Sequence, residues 1–451
     1  MKTGRAAYAL APLAAVLIAY LNSFWGVFQL DDFNVIVFNP SVQSWSAFWQ
    51  ECFHGIRPFL KFTYTLCWTS PTGVFSFHAF NLAVHLACVS LVFSLTLSFL
   101  RGRPGMVPEE ALYPAACLTA LLFGLHPIQT EAVTYITGRS ASLMTMFYLA
   151  SLAAYVKGTG EKRRLRLYVL SPLLFLLCVA TKETGITLPF ALVLWEACAG
   201  QGGGVRKAFR DQRVHWALFT VVIGAVLMHP RYRLLLLYSL DLRGFEENLL
   251  GQINGAARLL SHVVMPGRLN IDPGALSPVG WFSVQTLALC CLAALAAIGM
   301  WKKWSWLFFG ILWFFLHMMV VNVLIPRIDT VSDRHFYPAA WGIFFAASTA
   351  MTWFLFRFRG GTRTFIALAL CLTIVLGGYT VARNRVYHSE IALWEDTVRK
   401  SPGNPRAFNN LGYAYFLKGR KDDARKAYRH AMEIDPAFEH AGNNLKVLDG
   451  H

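Results

Sequence analysis

Residues 138–199 read GRSASLMTMFYLASLAAYVKGTGEKRRLRLYVLSPLLFLLCVATKETGITLPFALVLWEACA. Three apolar runs, at about 138–156, 167–181 and 186–199, are divided by two different joints. The first joint carries Lys157, Lys162, Arg163, Arg164 and Arg166; the second is the turn Lys182-Glu183-Thr184-Gly185. Apolar runs of this kind read as helices that satisfy their own backbone polarity inside a membrane. Short loops rich in Lys and Arg stay on the cytoplasmic side. The basic joint is therefore expected inside and the Lys182-Glu183 turn outside.

The alternation extends in both directions. Apolar stretches at about 6–28, 74–100 and 111–126 precede this segment, and others at about 214–229, 281–300, 304–325, 337–356 and 364–381 follow it. The inner joints carry Lys2 and Arg5, Arg101 and Arg103, Arg206 through Arg213, Lys302-Lys303, and Arg357, Arg359 and Arg363. Counting alternations predicts an all-α polytopic membrane protein with about eleven spans, its N-terminus cytoplasmic and its C-terminus outside. The first run is long and lacks a small-residue cleavage site, so it reads as a retained helix rather than a signal peptide. The outer segments are 29–73, 126–137, 182–185, 230–280, 326–336 and the chain after 382.

Composition agrees with this class. Hydrophobic residues make up 55% of 451 and charged residues 15%, against about a quarter charged in soluble domains. The net charge of +16 lies largely in short loops beside apolar runs, where the positive-inside rule accounts for it, and it does not call for nucleic acid. The nine cysteines show no zinc spacing and sit mostly in apolar runs. Cys52 and Cys67 share the first outer segment, and the sequence leaves a disulfide between them open. The tilt toward Ala, Leu, Arg and Gly and the compact loops suggest a bacterial inner-membrane protein with a periplasmic outer face.

Residues 405–438 follow a different period. Phe408, Leu411, Gly412, Tyr415, Ala424, Tyr428, Ala431 and Pro436 occupy the consensus positions of a tetratricopeptide repeat. Trp394 and Pro402 fit the second half of a preceding repeat, and 439–448 the start of another helix. The chain divides into a membrane domain, 1–382, and a repeat module, 383–451. So short an array is expected to lean on the membrane domain or a partner; a stabilising cap and a peptide-binding role are equally compatible with it.

The outer segments hold the candidate chemistry. Asp31-Asp32 opens the first of them. Adjacent carboxylates raise each other's proton affinity, so one can serve as a base; the simpler reading is a helix N-cap. His126, Glu131 and Arg139 lie along a helix-turn-helix, Lys182 and Glu183 at the next outer turn, and Asp333, Arg334 and His335 at a third. Any single one is explained by a helix-end ion pair. Together they suggest a carboxylate base facing a cationic pocket for a lipid phosphate. The outer Arg57, Arg139, Arg231, Arg233 and Arg334 run against the positive-inside rule and point the same way.

In order and spacing these segments resemble the transmembrane-and-tetratricopeptide-repeat O-mannosyltransferase family, within the wider GT-C glycosyltransferases. The motifs that carry the resemblance are Leu30-Asp31-Asp32 with Asn39-Pro40, Arg57-Pro58, Asn81 with His85, His126-Pro127 through Thr130-Glu131-Ala132-Val133, Gly138-Arg139, Lys182-Glu183 with Gly185-Ile186, and Arg334 with Tyr337-Pro338. The resemblance implies an inverting transfer of mannose or another hexose from a polyprenyl-phosphate donor to a protein or glycan hydroxyl. Asp31 would be the base and Asp32 its support, by hydrogen bonding or through a divalent metal, which the family does not require. Arg139, Lys182 and Arg334 would neutralise the leaving phosphate, and His126, Glu131, Glu183 and His335 would contact sugar or acceptor. Two features depart from the family. Ser140-Ala141-Ser142 stands where an acidic residue is common, and the repeat array is short. Three other readings share the composition: a lipid-linked-oligosaccharide ligase, a transporter or flippase, and a membrane-anchored scaffold. A transporter would need ionisable groups mid-membrane or broken helices in related halves, and a scaffold would not need the Asp pair or the outer arginines.

Overall fold

In the computed structural model the described residues are 2–199, 204–274, 276–327, 329–357 and 361–449. Arg359, assigned above to an inner joint, lies outside them. Among the described residues the chain is helical throughout, without a strand. The longer helices of the membrane body are α1 (Lys2–Tyr20), α2 (Pro58–Trp68), α3 (Val74–Arg101), α4 (Leu112–Leu125), α5 (Arg139–Gly160), α6 (Ser171–Thr181) and α7 (Leu188–Ala199). They continue with α8 (Arg213–Met228), α9 (Pro230–Asp241), α10 (Phe245–Val264), α11 (Val284–Trp301), α12 (Ser305–Phe315), α13 (Phe336–Phe356) and α14 (Gly361–Val386). Four more follow: α15 (Glu390–Lys400), α16 (Pro405–Leu417), α17 (Lys421–Ile434) and α18 (Glu439–Asp449).

The expected count of about eleven spans is corrected. Six described segments are long and apolar enough to cross a membrane, or up to eight if two bent pairs each count as one span. Those pairs are Glu109–Leu125 with Pro127–Val133, bent by 51°, and Arg213–Met228 with Pro230–Asp241, bent by 84°. The apolar runs that fail do so for physical reasons. With the π-turn before it, the helix that ends in α6 runs Arg166–Thr181, about 24 Å, and α7 has 12 residues, about 18 Å at 1.5 Å per residue, against a hydrocarbon core of about 30 Å. Helix α5 has 22 residues, but Ser140, Ser142, Thr145 and Ser151 dilute its hydropathy and turn inward, all buried.

Helices α3, α4, α5, α12 and α13 pack around one core. Helices α12 and α13 cross where two glycines meet: a Cβ on Gly342 would lie 2.3 Å from the Gly310 carbonyl oxygen. Close packing there lets Trp313 Nε1 donate to the Pro338 carbonyl at 2.8 Å and Trp341 Nε1 to Thr96 Oγ1 at 3.0 Å. These bonds fix the N-terminal end of α13, immediately after Arg334 and His335.

The repeat unit forms as its pattern predicts. A Cβ on Gly412 would sit 2.6 Å from the Tyr428 ring, so only glycine lets α16 and α17 meet there. The unit is tied to the membrane body. Arg383 Nη1 donates to Asp396 Oδ2 at 2.6 Å with both side chains buried, Lys400 Nζ donates to the Leu269 carbonyl at 2.8 Å, and Arg406 binds Asp272 through two bonds of 2.7 Å. Tyr135, Ile271, Tyr387 and Leu393 pack in the joint. No disulfide links Cys52 and Cys67: both are free thiols, and Cys67 Sγ accepts from Arg139 at 3.4 Å.

Candidate active site

The loop after α1 turns sharply. Leu30 adopts φ 46°, and Arg57, just before α2, adopts φ 53°. Left-handed backbone at a branched or bulky residue is strained and concentrates at functional sites. The two acids that follow open a helical stretch, where adjacent side chains point roughly 100° apart. Asp32 points inward and is fully buried. Its Oδ2 accepts from the Gln29 N–H at 2.9 Å and its Oδ1 from the Thr137 N–H at 2.8 Å. Burial pushes its carboxyl up to about 7, against these two N–H groups, which pull it down; the nearby Asp31 adds only a small upward push. Asp31 points outward with 61% of its side chain exposed, and its Oδ2 lies 3.7 Å from Arg334 Nη2.

Asp31 stands at the rim of a cavity of about 220 Å³. The cavity draws on four of the outer segments: Asp31, Arg57 and Tyr64, then Thr137, then Lys182, then Arg327, Arg334 and His335. Four cationic side chains thus surround one small volume. Two of them have internal partners. Arg57 forms a bidentate pair with Glu183, with bonds of 2.9 and 2.8 Å, and Arg334 lies 3.7 Å from both Glu131 and Asp31. Arg327 Nη1 donates to His335 Nε2 at 2.8 Å, a neutral partner, because guanidinium cannot accept. Lys182 is 6% exposed, and among the described residues its ammonium has neither a hydrogen bond nor an ion pair. Burial, and then the charges of Arg327, Arg57 and Arg334, hold its pKa well below the ordinary lysine range. Tyr64 lines the same cavity, and its hydroxyl is buried without a hydrogen-bond partner among the described residues.

Of the residues singled out from sequence, the structure brings Asp31, Arg57, Lys182, Arg334 and His335 to this cavity. Glu183 reaches it through Arg57. Glu131 is buried at the edge, accepting from Ser332 Oγ and from the Arg334 N–H. Arg139 and His126 are elsewhere. Arg139 is fully buried and spends its donors on Asn81, Thr63 and Phe77, with the rings of Tyr64, Phe77 and Phe80 around its guanidinium. It clamps α2 and α3 to α5. His126 donates through Nε2 to the Val263 carbonyl at 3.0 Å and accepts the Ile128 N–H at Nδ1, which pins the end of α10. Sequence reasoning missed Arg327 and Tyr64 altogether. Arg327 shares an outer segment with Arg334, and that shared segment was the available signal.

A divalent metal finds little to bind. Both Asp32 oxygens are taken by backbone N–H groups, Asp31 turns away from it toward Arg334, and no cluster of three or more His, Cys, Asp or Glu ligands occurs among the described residues.

The fold and site define an all-helical membrane protein with a cation-lined cavity, an exposed carboxylate at its rim and a docked tetratricopeptide repeat. Residues 405–438 match the tetratricopeptide repeat family. The chain is similar to protein O-mannosyl-transferases. It is 25% identical over 464 residues to one from Caenorhabditis elegans, covering 94% of this chain and 62% of that protein. It is 26% identical over 515 residues to human protein O-mannosyl-transferase TMTC1, covering 96% and 56%. With mouse protein O-mannosyl-transferase TMTC3 it shares 31% over 208 residues, covering 42% and 21%. The chain thus spans less than two thirds of the length of these relatives. No solved structure matches it.

Proposed function

We propose that the protein is a glycosyltransferase of the GT-C kind, acting on the extracytoplasmic face of a membrane. It moves mannose or another hexose from a polyprenyl-phosphate donor to a protein Ser or Thr hydroxyl, with inversion at the anomeric carbon. The N-terminus is cytoplasmic and the repeat unit extracytoplasmic, in the periplasm if the chain is bacterial. The relatives' names support the transfer and the acceptor class.

One observation carries the donor. An ammonium buried without a partner is costly, so the Lys182 ammonium, without a hydrogen bond or ion pair among the described residues and beside Arg327, Arg57 and Arg334, is pushed toward its neutral amine until an anion enters. The cavity is poised for an anion that enters from outside the chain, and a lipid phosphate fits both that charge and the membrane setting. The chemistry follows from the geometry. The acceptor oxygen attacks the sugar's anomeric carbon while its proton passes to the Asp31 carboxylate. The bond from that carbon to the phosphate oxygen breaks, and polyprenyl phosphate leaves with the electron pair. Lys182, Arg327 and Arg334 face the negative charge as it grows. Tyr64 lines this cavity, and a small turn of its ring would bring its unpartnered hydroxyl to a sugar hydroxyl.

The test is binding of polyprenyl phosphate to protein in lipid nanodiscs. Lys182→Gln and Arg327→Gln are each expected to weaken it tenfold or more, while Tyr64→Phe leaves it unchanged and weakens only the sugar-bearing donor. Wild-type affinity in Lys182→Gln would overturn the assignment.

A further inference from the structure

A second cavity, of about 650 Å³, opens beside the first. Asp31, Asp329 and Arg334 line both, so the two share a floor at the proposed base. The walls come from both parts of the molecule. On one side stand α10 and residues 271–274 and 276–278; on the other, the start of α16 and the turn that follows α17. A chain lying in this groove passes over the Asp31 carboxylate and touches the repeat unit along the way.

The charge of the groove is uneven. Asp272 and Asp329 share the single guanidinium of Arg406. Asp31 and Glu131 share that of Arg334. Glu247 and Asp435 have no cationic partner among the described residues, and Asp435 accepts only the Ala437 N–H, at 3.0 Å. Arg243 also lines the groove, so six carboxylates face three guanidiniums, the reverse of the cation-lined cavity next door. Asn410 adds a side-chain amide, which can both donate to and accept from a peptide backbone. Phe438 adds an apolar edge.

We propose that this groove is the acceptor site, and that it takes an extended polypeptide bearing Ser or Thr with Lys or Arg close to the modified hydroxyl. The membrane body and the repeat unit then select acceptors by charge together, with Glu247 of α10 and Asp435 after α17 as the selecting groups. This rests on the transferase reading above.

The experiment uses the full chain in nanodiscs of neutral lipid. Short fluorescent peptides carry one Ser flanked either by Lys or by Glu. Binding is read by anisotropy, and turnover separately by release of polyprenyl phosphate. Lys-flanked peptide is expected to bind about tenfold tighter than Glu-flanked peptide, with the preference shrinking as salt rises. Glu247→Lys and Asp435→Lys should each reduce it roughly threefold, as partly exposed charges do, and together should erase it. Neither change should alter polyprenyl-phosphate binding, which reports that the protein remains folded. Equal binding of the two peptides, no binding of either, or a preference unmoved in the double variant would each overturn the proposal. Charge-selective binding without any turnover would keep the groove and sink the transferase reading. Turnover at equal rates on both peptides would do the opposite.

Discussion

Asp32 offers one carboxylate oxygen to each of two backbone N–H groups, those of Gln29 and Thr137. An Asn in its place has one acceptor oxygen and must turn its amide toward the other N–H. The unmade bond costs about 1–3 kcal/mol in a buried setting. Asp32→Asn should therefore lower the Tm of the purified protein in lipid. Asp31→Asn, at an exposed side chain, should leave Tm unchanged and cut turnover by about 10²–10⁴-fold, the usual worth of a general base. A second residue-scale prediction follows from Lys182. Its pKa is depressed while the cavity is empty, and a bound phosphate dianion favours the charged ammonium and raises it. Phosphate binding thus takes up a proton wherever the empty site holds neutral amine, and affinity rises as pH falls through the depressed pKa. Calorimetry in buffers of different ionisation enthalpy reads this uptake, which Lys182→Gln should abolish; a flat pH profile in the wild type would contradict it. The paired acids and the outer cations were visible in the sequence because residue type and side of the membrane suffice to find them. Their division of labour was not, because it depends on how the helical stretch after Leu30 packs, which turns one carboxylate inward. Arg139 looked like a phosphate ligand for a similar reason: its position is near the site, and only its bonds to Asn81, Thr63 and Phe77 reveal a clamp.

Helices and turns carry their own constraints. A Cβ on Gly138 would fall 1.9 Å from the Glu131 carbonyl oxygen. Backbone cannot yield as a flexible side chain would, so Gly138→Ala should cost about 1–3 kcal/mol or more by overpacking. It should also disturb turnover, since it pushes on the turn that carries Glu131 and Thr137. A thermal melt together with the turnover assay checks both; an Ala variant with wild-type Tm would contradict the close approach. The repeat was legible because small and aromatic residues at fixed offsets follow from how two helices meet. The number of spans was less legible. Alternating charge counts every apolar run as a full crossing, whereas α6 and α7 are too short and α4 and α8 run into sharp bends.

At the scale of the whole molecule, the membrane body and the repeat unit are held as one by buried polar contacts. Asp396 accepts from Arg383, Lys400 and Arg399. Asp396→Ala would leave the Arg383 guanidinium buried without its partner, at a cost of about 3–5 kcal/mol. The expected result is faster amide exchange across 387–400, with α3 and α5 unchanged; exchange that stays at the wild-type rate would mean the joint rests on its apolar contacts. The sequence shows Arg399 and Lys400 one turn from Asp396, but not the bond from Arg383 on the preceding helix or those from Lys400 and Arg406 to the 269–272 segment, whose partners are distant in the chain.

The most direct test of the central claim is turnover in a defined system. Purified protein in nanodiscs would be given polyprenyl-phosphate mannose or polyprenyl-phosphate glucose with Ser/Thr peptides, and release of polyprenyl phosphate would be followed for wild type and Asp31→Asn. The account predicts sugar-modified peptide and stoichiometric polyprenyl phosphate from the wild type, and an Asp31→Asn variant that binds the lipid donor but does not turn it over. Wild-type protein that binds neither lipid donor, or an Asp31→Asn variant as active as wild type, would contradict it.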